Sequence, residues 1–107
     1  MERRRRERFP LSLAFDVFGG GRYLGRFWSR DVSLEGLFLK VADPDRLSGT
    51  ILSLRFQTAG IEHRLRGTAI RRVQDQGAGI QLAFWRHGDD DAYAAYRKLI
   101  QPGPRKG

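Results

Sequence analysis

Apolar and polar residues alternate along most of this chain with a period of two, the spacing of a strand that buries one of its faces. In LSLAFDVF (11–18), Leu11, Leu13, Phe15 and Val17 share a face, and the glycines at 19–21 that follow give a turn its permissive backbone. RYLGRFWS (22–29) forms the second arm of that hairpin. LFLKV (37–41) alternates again through Leu37, Leu39 and Val41, and Pro44 and Gly49 break the loop ADPDRLSG behind it. ILSLRF (51–56) turns Leu52, Leu54 and Phe56 inward. A longer strand follows over 61–73, IEHRLRGTAIRRV, in which Gly67 marks a bulge or a close backbone approach. After QDQGAG, the segment IQLAF alternates once more.

Six short strands within about 75 residues, with turn signals between them and no helical period among them, predict a closed barrel or a sandwich rather than alternating βαβ units. Closure also removes the edges that strands this apolar would otherwise expose. The period then changes. In DDDAYAAYRKLIQPG, Ala92, Ala95, Tyr96 and Leu99 recur at intervals of three and four, which predicts one helix over 87–101 lying against the strands. Asp89 to Asp91 suit its positive dipole end, Arg97 and Lys98 its negative end, and Pro102-Gly103 stop it. The chain therefore divides into an arm over 1–8, a β-domain over 9–86, the helix, and a frayed tail over 102–107.

The 107 residues are enough for one modest core and not for two. There is no cysteine, which excludes disulfides and thiolate metal sites. No apolar run approaches the roughly 18 residues of a membrane span, and the N-terminal arginines are followed only by PLSLAF before Asp16, too short for an export signal. A cytoplasmic location is expected.

The net charge is +8, and 17 of the 20 basic residues are Arg. Arginine's planar fork suits phosphates and guanine edges, so an anionic partner fits, although a GC-rich genome would produce the same bias. The arm, MERRRRER, holds five of the arginines with no apolar residue after Met1, and is expected to be flexible.

Catalytic chemistry finds little to work with. His63 and His87 are the only histidines, and both read as solvated structural residues. The acidic run at 89–91 reads as a helix start rather than a cation site, and GGGRYLG lacks the spacing of a dinucleotide turn. Tyr23, Phe27 and Trp28, interleaved with arginines, read as barrel wall before they read as a base-stacking platform. The chain is expected to be non-enzymatic, with no metal and no cofactor.

Two patterns remain. Arg4 and Arg8 stand four apart, a spacing that Arg22 with Arg26 and Arg26 with Arg30 also satisfy, so only position on the lead-in sets the first pair apart. DVSLEG (31–36) spaces Asp31, Ser33 and Gly36 two and then three apart. Its local reading is a turn in which Asp31 and Ser33 bond nearby backbone and Gly36 takes a positive φ.

The order of these pieces resembles the PilZ domain family, six-stranded antiparallel β-barrels that bind the bacterial second messenger cyclic di-GMP. RRRRERF matches the family's RxxxR arm, DVSLEGLFL its DxSxxG motif and following strand, LRGTAIRRV the strand often written GxVxR, and GAGIQLAF the closing strand. The resemblance implies a six-stranded antiparallel barrel with the flexible arm in front and the helix behind. It implies a cyclic di-GMP site of Arg4, Arg8, Asp31, Ser33 and Gly36, with Arg3 or Arg5 as second-line contacts because four consecutive arginines leave the register open. The arginines would clamp phosphate or guanine, Asp31 would accept guanine's N1 and N2 hydrogens, and Ser33 would add a hydroxyl contact. Gly36 would allow a tight turn and close approach of the ligand. Ligand-driven ordering of the arm and docking on an unidentified downstream protein would pass the signal on. Two other readings keep the barrel: a protein-interaction module that binds no nucleotide, and a basic barrel that binds nucleic acid, whose affinity would fall steeply with salt. The two complete motifs favour the receptor.

Overall fold

The structure, a computed structural model, describes residues 7–47, 51–83 and 90–100. Six antiparallel strands, β1 (Ala14–Gly19), β2 (Arg22–Val32), β3 (Gly36–Lys40), β4 (Ile51–Thr58), β5 (Ile61–Val73) and β6 (Gly77–Ala83), close into a barrel in the order β1-β2-β3-β6-β5-β4. Of the two architectures that the alternation allowed, the barrel is the one adopted. Its inward residues are those the period of two selects: Phe15, Val17, Leu37, Leu39, Leu52, Leu54, Phe56, Leu65, Ile80 and Leu82 form one buried cluster.

Each end of the barrel is stoppered. A 3-10 turn, Pro44–Leu47, seals one end with the fully buried Leu47. The helix α1 (Asp90–Ile100) packs at the other, where Tyr93 and Tyr96 meet the β2–β3 corner and Tyr96 meets Phe56 of β4. Ala92, Tyr96 and Ile100, each four residues from the next, enter the core, and the Tyr96 ring meets Phe56 edge-on at 6.5 Å. Ala95 and Leu99, expected on the buried stripe, flank it partly buried. Among the described residues no helix is long and apolar enough to cross a membrane.

The turns follow from glycine chemistry. Gly20 and Gly21 take φ of 60° and 78°, the left-handed pair that a two-residue hairpin requires, and Ala59 and Gly60 repeat the geometry between β4 and β5 at 49° and 81°.

The fold decides four local expectations. β1 begins at Ala14 rather than at Leu11, because Ser29 intervenes: its hydroxyl donates to the Leu11 carbonyl at 2.5 Å and accepts the Leu13 N–H at 2.8 Å. A side chain thus takes over where a ladder would have continued. Gly67 marks a close approach and not the bulge, since a Cβ there would lie 2.7 Å from Ile80 Cγ2, while the register of β5 slips between Ala69 and Arg71. Tyr23 and Trp28 face outward, 57% and 50% exposed, and Phe27 alone of the three packs on the core. Gly36 takes no positive φ; it is extended strand. The arm through Arg6, residues 87–89 and the tail beyond Ile100 lie outside the described residues.

Candidate ligand site at the arm and the β2–β3 corner

Two adjacent residues of β2 face outward together, which a regular strand forbids. The β2–β3 register slips between Ser29 and Asp31, so Ser29 pairs with Leu39, Asp31 pairs with Phe38, and Arg30 is the extra residue of a bulge. Ser29 and Val32 stay buried while Arg30 and Asp31 stand side by side on the outer surface. The lead-in then reaches them from the other side. Phe9 and Val32 exchange backbone hydrogen bonds of 2.7 and 2.9 Å, an isolated antiparallel bridge that fixes the chain directly after Arg8.

The result is a carboxylate held between two guanidinium groups. Arg8 Nε donates to Asp31 Oδ1 at 2.6 Å, and Arg30 Nε donates to Asp31 Oδ2 at 2.8 Å. Partial burial pushes the Asp31 pKa up, but the hydrogen bonds from Arg30 and Arg8 outweigh it and hold the carboxyl below its ordinary value. The anion is thus fixed in its acceptor form.

Ser33 and Gly36 build the corner that presents Asp31. The Ser33 side chain is buried and its hydroxyl is spent on the turn: it donates to the Gly36 carbonyl at 3.1 Å and accepts the N–H groups of Gly36 and Glu35 at 3.1 and 3.3 Å. Gly36 is glycine for want of room, because a Cβ there would sit 2.2 Å from the Ile80 carbonyl oxygen of β6. The helix then pins this corner. Tyr96 donates to the carbonyls of Ser33 and Gly36 at 2.8 and 3.1 Å, and Tyr93 donates to that of Leu34 at 3.2 Å. Burial drives the Tyr96 phenol far above its ordinary range, so it remains a proton donor.

Of the residues that the sequence singles out, the structure brings together Arg8, Asp31, Ser33 and Gly36; Arg3, Arg4 and Arg5 lie outside the described residues. Arg30, Phe38, Tyr93 and Tyr96 were missed. Arg30 had carried a signal, standing in an RxxxR spacing beside the motif, but the bulge that aims it at Asp31 is a property of strand pairing. The tyrosines read as helix stripe, and nothing local tells a phenol that caps carbonyls from one that only packs. Of the other arginines on β5, Arg72 pairs with Asp45 at 3.3 Å and Arg71 is exposed.

No group of three or more metal-ligating side chains occurs among the described residues. The site offers hydrogen-bond donors with positive charge beside one fixed acceptor, which suits recognition of an anion that also carries N–H groups.

The comparisons with known proteins agree with the fold. The family model of the PilZ domain matches residues 2–101. No curated protein matches the chain. Among solved structures, the crystal structure of the PilZ domain of CeSA from a cellulose-synthesizing bacterium is similar over 90% of this chain and 96% of that one, with a TM-score of 0.66 at 21% identity. At that identity the likeness concerns the fold. PilZ domains are in general non-catalytic receptors of cyclic di-GMP. With nearly the whole chain matched by the family model and the barrel closed as the family requires, this protein belongs to the PilZ domain family.

Proposed function

We propose that this protein is a non-enzymatic receptor of cyclic di-GMP that binds through its arginine arm and the DxSxxG corner. The observation that carries the reading is the ion pair between Arg8 and Asp31, which joins the two ligand motifs across 23 residues of sequence. Cyclic di-GMP has two phosphates and two guanines. A guanidinium suits the phosphates and the O6/N7 edge, and a carboxylate suits the N1 and N2 hydrogens.

In this reading Asp31 accepts from one guanine, and Arg8 with Arg4 clamps phosphate or base, Arg3 or Arg5 standing in for Arg4. Ser33 and Gly36 shape the corner that aims Asp31. Only 16% of the Asp31 side chain is exposed, so a ligand that takes this carboxylate must first draw an arginine away from it. Arg8 lies on the lead-in and is the one that moves. Its transfer from Asp31 to the ligand closes the arm over the bound nucleotide and creates a surface on which a downstream protein docks.

Calorimetric titration with cyclic di-GMP, with GMP and cyclic AMP as controls, tests the reading. Saturable binding of the cyclic dinucleotide alone is expected. Folded protein that gives no heat and no saturation would overturn the receptor assignment and leave the barrel as a protein-interaction module.

A further inference from the structure

Resting on the receptor reading, we propose that Arg30 is a ligand-reading residue outside both motifs, and that Arg30 and Asp31 together recognise the Watson–Crick edge of one guanine. That edge presents, in order, the O6 acceptor, the N1 hydrogen and the N2 hydrogens. A lone carboxylate answers the two donors and leaves O6 unanswered. A carboxylate with a guanidinium at its side answers all three, as the donor and two acceptors of cytosine do in a base pair.

Arg30 is placed for this by three contacts. The bulge puts it on the same face as Asp31. Its Nε donates to Oδ2, which sets the fork beside the acceptor. Its guanidinium carbon lies over the Phe38 ring, 4.0 Å from the ring centre, so the cation is placed on an aromatic face. Phe38 makes a fixed support: it is 4% exposed and lodged against Gly77 and Gly79, where an added Cβ would come within 2.8 and 4.0 Å of the ring.

Even so, 52% of the Arg30 side chain is exposed, and its terminal NH2 groups have no acceptor among the described residues. A flexible cation has been immobilised with its donors left over. Immobilisation before binding lowers the entropy lost on binding, which is the advantage of a preorganised site. The two arginines on Asp31 thus have different parts. Arg8 exchanges the carboxylate for the ligand, while Arg30 stays seated on Phe38 and offers O6 a donor. Adenine, with an amino group where guanine has O6, would set donor against donor and be refused.

The test titrates the wild type, Arg30→Ala and Arg30→Lys with cyclic di-GMP, and repeats each titration with cyclic di-AMP present in tenfold excess as competitor. Arg30→Ala should bind cyclic di-GMP at least tenfold more weakly, Arg30→Lys should recover only part of that loss, and the competitor should interfere more with Arg30→Ala than with the wild type. Arg30→Ala binding within twofold of the wild type would overturn the proposal. Full recovery in Arg30→Lys would overturn it too, since a positive charge would then suffice without the fork. In both cases the receptor reading stands; a wild type that fails to saturate with cyclic di-GMP removes the two together.

Discussion

Arg8 and Asp31 form an ion pair of 2.6 Å across the outside of the barrel, held in place by the Phe9–Val32 bridge next to it. The pair is a contact between motifs rather than part of the core. An exposed pair of this kind contributes only about 0.2–1 kcal/mol to stability.

Binding and folding should therefore separate at these two residues. Arg8→Ala and Asp31→Ala are each expected to weaken cyclic di-GMP binding at least tenfold, about 1.4 kcal/mol, while the thermal midpoint moves by less than about 5 °C. Calorimetry and thermal unfolding on the same samples check this. Unfolding of Asp31→Ala would make the aspartate a turn residue first.

The corner residues should behave in the opposite way. Gly36→Ala would place a methyl group against the Ile80 carbonyl and is expected to cost about 1–3 kcal/mol. Ser33→Ala leaves the Gly36 and Glu35 N–H groups without their acceptor and should cost a similar amount. Denaturant midpoints measure both. A fully stable Gly36→Ala variant would refute the close-packing account of this glycine.

Tyr96→Phe keeps the ring against Phe56 and deletes only the hydroxyl. Its loss should lower stability by about 1–3 kcal/mol, because the Ser33 carbonyl loses its buried donor. A thermal midpoint lowered by about 5 °C or more is the expected result; no change would mean that another donor reaches the corner.

The charge state of Asp31 fixes a pH window. Its folded pKa lies below the ordinary 3.8, so its contribution to stability is complete above that value and is lost as pH falls through the lower folded pKa. Cyclic di-GMP affinity should accordingly stay level on this group's account from about pH 5 to 8. A carboxyl titration by NMR should give Asp31 a midpoint below 3.8 in the wild type and a higher one in Arg30→Ala.

The β4–β5 hairpin carries a local cost. Ala59 sits at φ 49°, where a Cβ is disfavoured, and asparagine tolerates that region better. Ala59→Asn should raise stability by about 0.5–1 kcal/mol, read from the shift of the denaturant midpoint, without altering ligand affinity.

Much of this architecture was legible because burial repeats along the chain. β5 runs over 61–73 as expected, and Leu37, Leu39, Leu52 and Leu54 point inward as a period of two requires. Ser29 hides the start of β1, since a side-chain hydroxyl that replaces a ladder bond leaves no mark on the hydrophobic pattern. Gly36 is glycine for want of room and not for the positive φ that its turn pattern suggested. A sequence shows that a Cβ is absent, but only the neighbouring strand shows whether torsion or space demands it.

The sequence by itself determined the number of strands, the inward residues that form the core and the presence of one helix, because each depends on a repeat along the chain. Tertiary structure alone decided that Arg30 faces outward beside Asp31, that Phe38 supports it, and that Tyr96 seals the corner. A bulge exists only in the register between two strands, and a buried hydroxyl finds its carbonyl only after the helix has closed the barrel. Those relationships join residues up to 63 positions apart, and no pattern along the chain encodes them.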